Sequence, residues 1–517
     1  MMSKINKKII ITILCVLLTF CMVACSNPYL DNIESDKTFE VVPEPTPIIN
    51  VNNPDDAKGS ITFGLYGYDT LHPLLTQNKA IQKYMTLVYD SLVEYDIECK
   101  PKPSIAKSWE TVDGGLTWNI KIHDNVYFHD GSQLTVYDIK NTLEWIKSNQ
   151  CYYSYCAQGV ESYKVISQFE IDIVLGNVDA LFPHKLNFPV LKSEDINAEI
   201  TVPNGTGMYR FVSADNNSLL FEINKLYFRN CPKIKNLTIK TFENAKDLND
   251  SDVDVILNFG DNVIQYAKKD LYNVNQYKDS VVSSLIPSEK TEIGIRKFVY
   301  TNIDRELLIK ASMADCAIST DSILPEDAYF MKGYNNNYNF DNVVKPDSLK
   351  FIICKDDEDL LRLSDMINTQ FKKIGVSCEV LTLEYSEFNT VLMSGEYDFA
   401  FVNYDMKSVP DVEAMFATNG TLNYNNFNDD SVNSLIDSIK NAYNDKDISS
   451  VVDNDTFITY CNAQTVKLAL RIKETLPIIC LCRKNASVSL SKNVIGVSLY
   501  NFNYWNTLDF VSWEMRE

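Results

Sequence analysis

Between Leu116 and Ile146 the hydrophobic period changes from two to about 3.6, and this change constrains the fold more than any other feature of the chain. In "LTWNIKIHDN", Leu116, Trp118, Ile120 and Ile122 alternate with Thr117, Asn119, Lys121 and His123, the pattern of a strand buried on one face. Asp124 and Asn125 suit a tight turn, after which Val126–Phe128 is expected to return as the second strand of a hairpin. His129-Asp130-Gly131 reads as another turn, with Gly131 supplying a permissive backbone. Thr135 then stands as a helix N-cap with Asp138 at N3, and Leu134 and Ile139 occupy the staple positions around it. Ile139, Leu143 and Ile146 continue one apolar helix face. Every residue of the stretch has a structural task, so it is read as a turn into a helix and not as a catalytic or metal-binding loop. From Gly59 onward strands and helices of ordinary length alternate without a solenoid-type repeat, which points to an α/β chain.

At 517 residues the chain exceeds one compact core, so two or three domains are expected. The formal net charge is −21, a surface that repels phosphate backbones, so no nucleic-acid partner is expected. Broad docking on anionic lipid is disfavoured for the same reason, and membrane attachment would need an anchor. The N-terminus offers one. "MMSKINKK" is basic, and the following apolar run of 16 residues would span only about 24 Å as a helix, short of a bilayer core. It reads as a secretory signal, ending in Met22-Val23-Ala24-Cys25, which resembles a bacterial lipobox with Met22 in the usual leucine place. That resemblance implies that residues 1–24 are a lipoprotein signal peptide and that Cys25 carries a diacylglyceryl anchor. The polar, proline-bearing stretch up to residue 58 is expected to be a flexible linker.

Of the 13 cysteines, two belong to the signal and Cys25 to the anchor. Cys354, Cys378, Cys480 and Cys482 sit in apolar, strand-like runs where cysteine acts as a small buried hydrophobe. Cys151 and Cys156, in "CYYSYC", could be bridged or free. No paired CxxC occurs, and with only four histidines neither a zinc site nor any other metal or cofactor is expected.

The segment from Leu71 to Ile146 resembles the N-terminal signature of the family 5 extracellular solute-binding proteins. The matching residues are Leu71 and Pro73, "VYDSLV" at Val88–Val93, and Pro103-x-Ile105-Ala106-x-Ser108-Trp109. Asp113-Gly114 and Phe128-His129-Asp130-Gly131 through Asp138-Ile139 complete it. Later blocks agree: "GTGMYRF" at Gly205–Phe211, "IRKFVYTNIDRELLI" with Arg296, Asp304 and Arg305, and "FKKIGVSCEV" followed by "EYSEFNTVLMSGEYDFAFVNYD". The likeness implies a two-lobed periplasmic-binding-protein-like fold (type II, cluster C) that closes on ligand, with an extra subdomain inserted in the first lobe. By analogy lobe I comprises residues 59–94, 200–282 and 485–517, the inserted subdomain 95–199, and lobe II 283–484.

The family's peptide receptors hold the ligand's ammonium with an aspartate in a motif like W-x-aDYpDP. Here the segment is "NYDMKSVPDVEAMF": Tyr404 takes the tryptophan place, and the aspartate's position falls on Lys407 or Ser408. A lysine there repels an ammonium. Asp405 or Asp411 could substitute from nearby, or could be solvated loop acids; Tyr404 is a candidate aromatic wall. Leu71 and His72 follow the opening strand and are candidates for the first lobe's side of the cleft, with turn capping as the alternative for His72. Gly205-Thr206-Gly207 is read as a tight connection and not as a phosphate cradle.

The resemblance therefore implies a monomeric, lipid-anchored binding protein on the outer face of a bacterial cell membrane, delivering a peptide or peptide-like solute to an ABC permease and its ATPase. A surface receptor that senses peptides would share the fold and the anchor. A secreted hydrolase is the third possibility, but the chain carries no G-x-S-x-G, H-E-x-x-H or P-loop pattern, and no enzyme activity is expected.

Overall fold

The computed structural model describes residues 53–96, 98–259, 271–313, 316–335, 338–407, 412–442, 454–498 and 510–516. The signal segment, Cys25 and Asp411 lie outside them. Among the described residues no helix is long and apolar enough to cross a membrane.

Two sets of parallel strands form the framework. Lys58–Tyr66 pairs in parallel with Ile234–Phe242 and Val255–Phe259. Ser348–Cys354 pairs in parallel with Ser377–Leu383 and Phe399–Asp405. Parallel strands are normally covered on both faces, and the burial pattern shows it. Phe351 and Ile353 enter one apolar cluster while Ile352 between them enters another; Phe399 and Phe401 divide from Ala400 in the same way. The runs "FIIC" and "FAFV" are continuous apolar stretches for that reason.

Two long antiparallel strands, Tyr272–Pro287 and Ile479–Ser491, join both sets into one 11-stranded sheet. The first part of Tyr272–Pro287 pairs with Ser491–Asn485, beside Val255–Phe259. Its last part pairs with Arg483–Ile479 and, on its other edge, with Asp405–Phe399. The register shifts between Lys278 and Val282, so the backbone bulges where the strand passes from one half to the other. Asp279 and Ser280, at the bulge, are 3% and 4% exposed. A carboxylate so buried needs cationic partners, and it has them.

A separate four-stranded antiparallel sheet contains Ala106–Thr111, Thr117–Ile122, Glu170–Leu175 and Val160–Ser167. Trp118, Ile120 and Ile122 are its buried row, as the alternation requires. The expected hairpin with Val126–Phe128 does not form. Thr117–Ile122 pairs instead with Ala106–Thr111 and Glu170–Leu175, and Tyr127 makes only an isolated bridge to Gln133. Both edges of the strand are taken by segments distant or upstream in sequence, a choice that local turn chemistry does not encode. Thr135 and Asp138 close a reciprocal capping box on the helix Val136–Ser148, and Leu134 and Ile139 are fully buried. Cys151 and Cys156 are free thiols. At the C-terminus the rings of Phe510 and Trp513 pack 5.7 and 6.4 Å from that of Phe63, in the core of the first parallel set.

Candidate functional site

A cleft opens beside the bulge. Its walls are the helix Lys79–Met85, the strand Val93–Tyr95, the tyrosines Tyr152, Tyr153 and Tyr155, and the bulge residues Asp279 and Ser280. Asn78 starts the helix, accepting from the backbone amides of Ala80 and Ile81, and so sends Lys79 and Lys83 along one face, one turn apart.

Charged groups from three separate stretches of chain meet at the rim. Lys79 Nζ lies 3.1 Å from both Asp279 carboxylate oxygens and 3.3 Å from Ser280 Oγ. It is also 3.8 Å from Asp405, at the end of the strand Phe399–Asp405. Ser280 donates its hydroxyl to the same Asp405 carboxylate. The other Asp405 oxygen is 3.7 Å from Lys407 Nζ, which in turn stands 3.9 Å from the centre of the Tyr152 ring. Burial pushes the Lys407 ammonium below the usual lysine range, the attraction of Asp405 opposing that and Lys79 adding to it. Burial also brings Lys83 down to about 7, against the attraction of Asp279 and with the repulsion of Lys79.

A second ionic group backs the wall. Arg229 is 2.7 Å from Asp90 and 2.7 Å from Glu94, both buried. Thr206 donates to Asp90 at 2.8 Å. The flanking glycines explain the "GTG" run: a Cβ on Gly205 would stand 1.9 Å from the Val88 carbonyl, and one on Gly207 2.6 Å from that of Leu87. His129 of the "HDG" turn fastens the same loop, with Nε2 3.0 Å from the Gly207 carbonyl and its backbone amide 2.9 Å from that of Gly205. The two signature runs thus clasp each other.

Of the residues singled out from the sequence, Asp405 and Lys407 reach the rim of the cleft through Lys79 and Tyr152. Tyr404, between apolar clusters on the other side of its strand, does not line it. Leu71 is a core residue. His72 is 1% exposed; Nε2 is 3.1 Å from the Ile196 carbonyl, Nδ1 accepts from the Leu74 amide, and the ring stacks on Trp145. It holds a turn, and its neighbour Pro73 lines the cleft. Sequence reasoning missed Lys79, Lys83, Asp279, Ser280 and Tyr152. A signal existed for two of them: like charges one helical turn apart oppose helix formation, so the lysine pair in "KAIQK" called for a reason.

A separate contact joins the two halves. The His184 ring lies between those of Tyr95 and Tyr329, at 6.4 and 5.9 Å, and Tyr329 Oη is 2.8 Å from His184 Nε2. Burial lowers the imidazole to about 4.

Two α/β halves, joined by crossing strands with a charged cleft at the crossing, define a two-lobed solute-binding protein. The chain belongs to the bacterial extracellular solute-binding proteins, family 5, whose model matches residues 100–426. It is 22% identical over 515 residues to the oligopeptide-binding protein AppA of Bacillus subtilis, covering 86% of this chain and 91% of that one. Its fold is similar to that of HbpA2 from Haemophilus parasuis (TM-score 0.74, 16% identity, 89% of this chain and 100% of that one). It is also similar to NikZ from Campylobacter jejuni, solved with Ni(L-His) (TM-score 0.62, 18% identity, 89% and 99% covered).

Proposed function

We propose that this chain is the lipid-anchored substrate-binding component of an ABC importer, capturing a peptide or peptide-like solute between its lobes and delivering it to the permease. The observation that carries this reading is the position of the cleft. It lies at the bulge of a crossing strand, and Lys79, Asp279 and Asp405 bring the helix of one half, the crossing strand and the other half to a single point. A ligand seated there contacts the groups that set the angle between the halves, so binding and closure are coupled. Membership of the family and the likeness to an oligopeptide-binding protein support a peptide-like ligand. The sequence Met22–Cys25 supports the anchor. The protein binds and releases its ligand without chemistry, acts as a monomer, and stands on the outer face of the cell membrane.

The test is native mass spectrometry of the protein lacking residues 1–25, purified gently from its own host. A bound mass that fragments as a peptide is expected. Turnover of offered peptides or glycans would defeat the proposal, and a strain lacking the chain should lose uptake of the identified solute.

A further inference from the structure

The charged groups of this cleft are engaged within the protein. Asp279 faces Lys79 at 3.1 Å, and Glu94 faces Arg229 at 2.7 Å. At the rim Asp405 lies between Lys79 and Lys407, at 3.8 and 3.7 Å. Lys83, on the wall, is likewise engaged. A ligand charge entering here meets no counter-charge of its own and has to separate a pair that is costly to break. What the walls present instead is aromatic surface. Tyr152, Tyr153 and Tyr155 take three of four consecutive positions, all half-buried and all lining the cleft. Phe259, at the end of the strand Val255–Phe259, lines it too. Tyr153 and Tyr155 back onto the main apolar core, whereas Tyr152 packs against none of the apolar clusters of the described residues. The Tyr152 ring meets those of Tyr153 and Tyr155 edge to face, at 5.1 and 6.5 Å. Tyr155 donates its hydroxyl to Asn187 at 2.9 Å. The Tyr152 and Tyr153 hydroxyls have no hydrogen-bond partner among the described residues. Half-buried rings with unengaged hydroxyls at a cleft wall gain contact area, edge-to-face pairing and hydrogen bonds from a flat, uncharged partner.

We infer that the part of the solute bound in this cleft is an uncharged aromatic ring, held by Tyr152, Tyr153 and Phe259, and that the solute's charges are not what the cleft selects. The inference rests on reading the cleft as the solute site and narrows the class of solute it takes. In a peptide the ring is the side chain of a phenylalanine, tyrosine or tryptophan. In any other solute it is a phenyl, phenol or indole group. The ion pairs Lys79–Asp279 and Arg229–Glu94 act as a fixed neutral frame around it.

The experiment offers the protein lacking residues 1–25 matched pools of short peptides that differ in one residue class: aromatic, aliphatic or charged. Native mass spectrometry reads the bound mass and titration calorimetry the affinity. The aromatic pool should bind about fivefold tighter than the aliphatic one, the scale of ring-on-ring contact beyond buried area. Its affinity should move by less than about twofold between low and high salt, because no ion pair forms with the ligand. Preference for the charged pool, equal affinity for the aromatic and aliphatic pools, or a steep fall with salt overturns the inference. If no pool binds, the peptide reading fails and the ring is tested by itself, with benzamide against cyclohexanecarboxamide. Tighter binding of benzamide then supports the inference, and equal binding or none overturns it. Tyr153→Leu should weaken the aromatic ligand by about fivefold, while Tyr153→Phe keeps most of the affinity. Circular dichroism checks that Tyr153→Leu is folded, and Phe259→Leu reads the same contact from a separate element if it is not. Affinity equal to the parent's in a folded Tyr153→Leu or Phe259→Leu would also overturn the assignment.

Discussion

Lys407 Nζ stands 3.9 Å from the centre of the Tyr152 ring, so a strand end from one half of the molecule is tied to a loop of the other by a cation over an aromatic face. The same ammonium is 3.7 Å from Asp405, which Lys79 also approaches. The contact is therefore the outer link of a chain that ends in the buried Asp279. Removing the ring in Tyr152→Leu forfeits about 1–2 kcal/mol of interaction between the halves. The expected result is a more open protein, measured as a larger radius of gyration by small-angle scattering, with weaker ligand binding and little change in melting temperature.

Asp279 is the inner anchor of that chain. In Asp279→Asn, Lys79 keeps a hydrogen-bond acceptor but loses its main counter-charge, and Lys83 loses the attraction that opposes its desolvation. Breaking a pair with one partner this buried should destabilise the protein by about 2–3 kcal/mol, read from denaturant unfolding. A parallel variant, Ser280→Ala, removes the hydroxyl's bond to Asp405 and its longer contacts with Lys79 and Asp279, and should lower stability by about 1 kcal/mol.

His184 makes the protein sensitive to acid. Its folded pKa of about 4 lies below the ordinary 6.5, so the unfolded chain binds more protons between those values. Stability is then full above about pH 6.5 and falls as the pH drops towards 4. His129, also lowered to about 4 by burial, has the same sign. The melting temperature should decline across this window, and His184→Gln should flatten part of the decline. Because Tyr329 and Tyr95 flank His184 from different halves, the scattering radius should rise over the same range.

Gly205→Ala should disrupt the clasp between the two signature runs. The added methyl would sit 1.9 Å from the Val88 carbonyl and 2.8 Å from the Tyr89 ring, so the backbone must move. A loss of about 3 kcal/mol is expected by chemical denaturation, with the neighbouring Thr206–Asp90 hydrogen bond loosened.

Cys25 tests the anchor. Cells expressing Cys25→Ala should incorporate no labelled fatty acid into this chain and should release it from the membrane fraction. Retention of the label in Cys25→Ala would defeat the anchor reading.

Local chemistry was well encoded. The alternation Leu116–Ile122, the Thr135–Asp138 capping box and the staple of Leu134 and Ile139 each depend on residues a few positions apart, and each stands where the sequence put it. The order of the signature runs was enough to reach the fold and the family. The partner of Thr117–Ile122 was not legible. A strand's pattern states which face is buried, not which edge is joined, and the neighbouring Val126–Phe128 lost to Ala106–Thr111 and Glu170–Leu175.

The cleft was decided by tertiary structure. Asp405 and Lys407 could be suspected from the departure at one motif, but the residues that give them meaning are remote: Asp279 is 200 positions from Lys79, and Ser280 is 125 from Asp405. His72 had the chemistry of a site residue, yet folding turned both ring nitrogens onto backbone. Sequence by itself determined the periods, caps and close approaches, because those are settled by steric and hydrogen-bond rules within a few residues. Only the folded chain decided where charges meet, because a Coulomb contact depends on distance in space and burial, and neither is written in the spacing of residues along the chain.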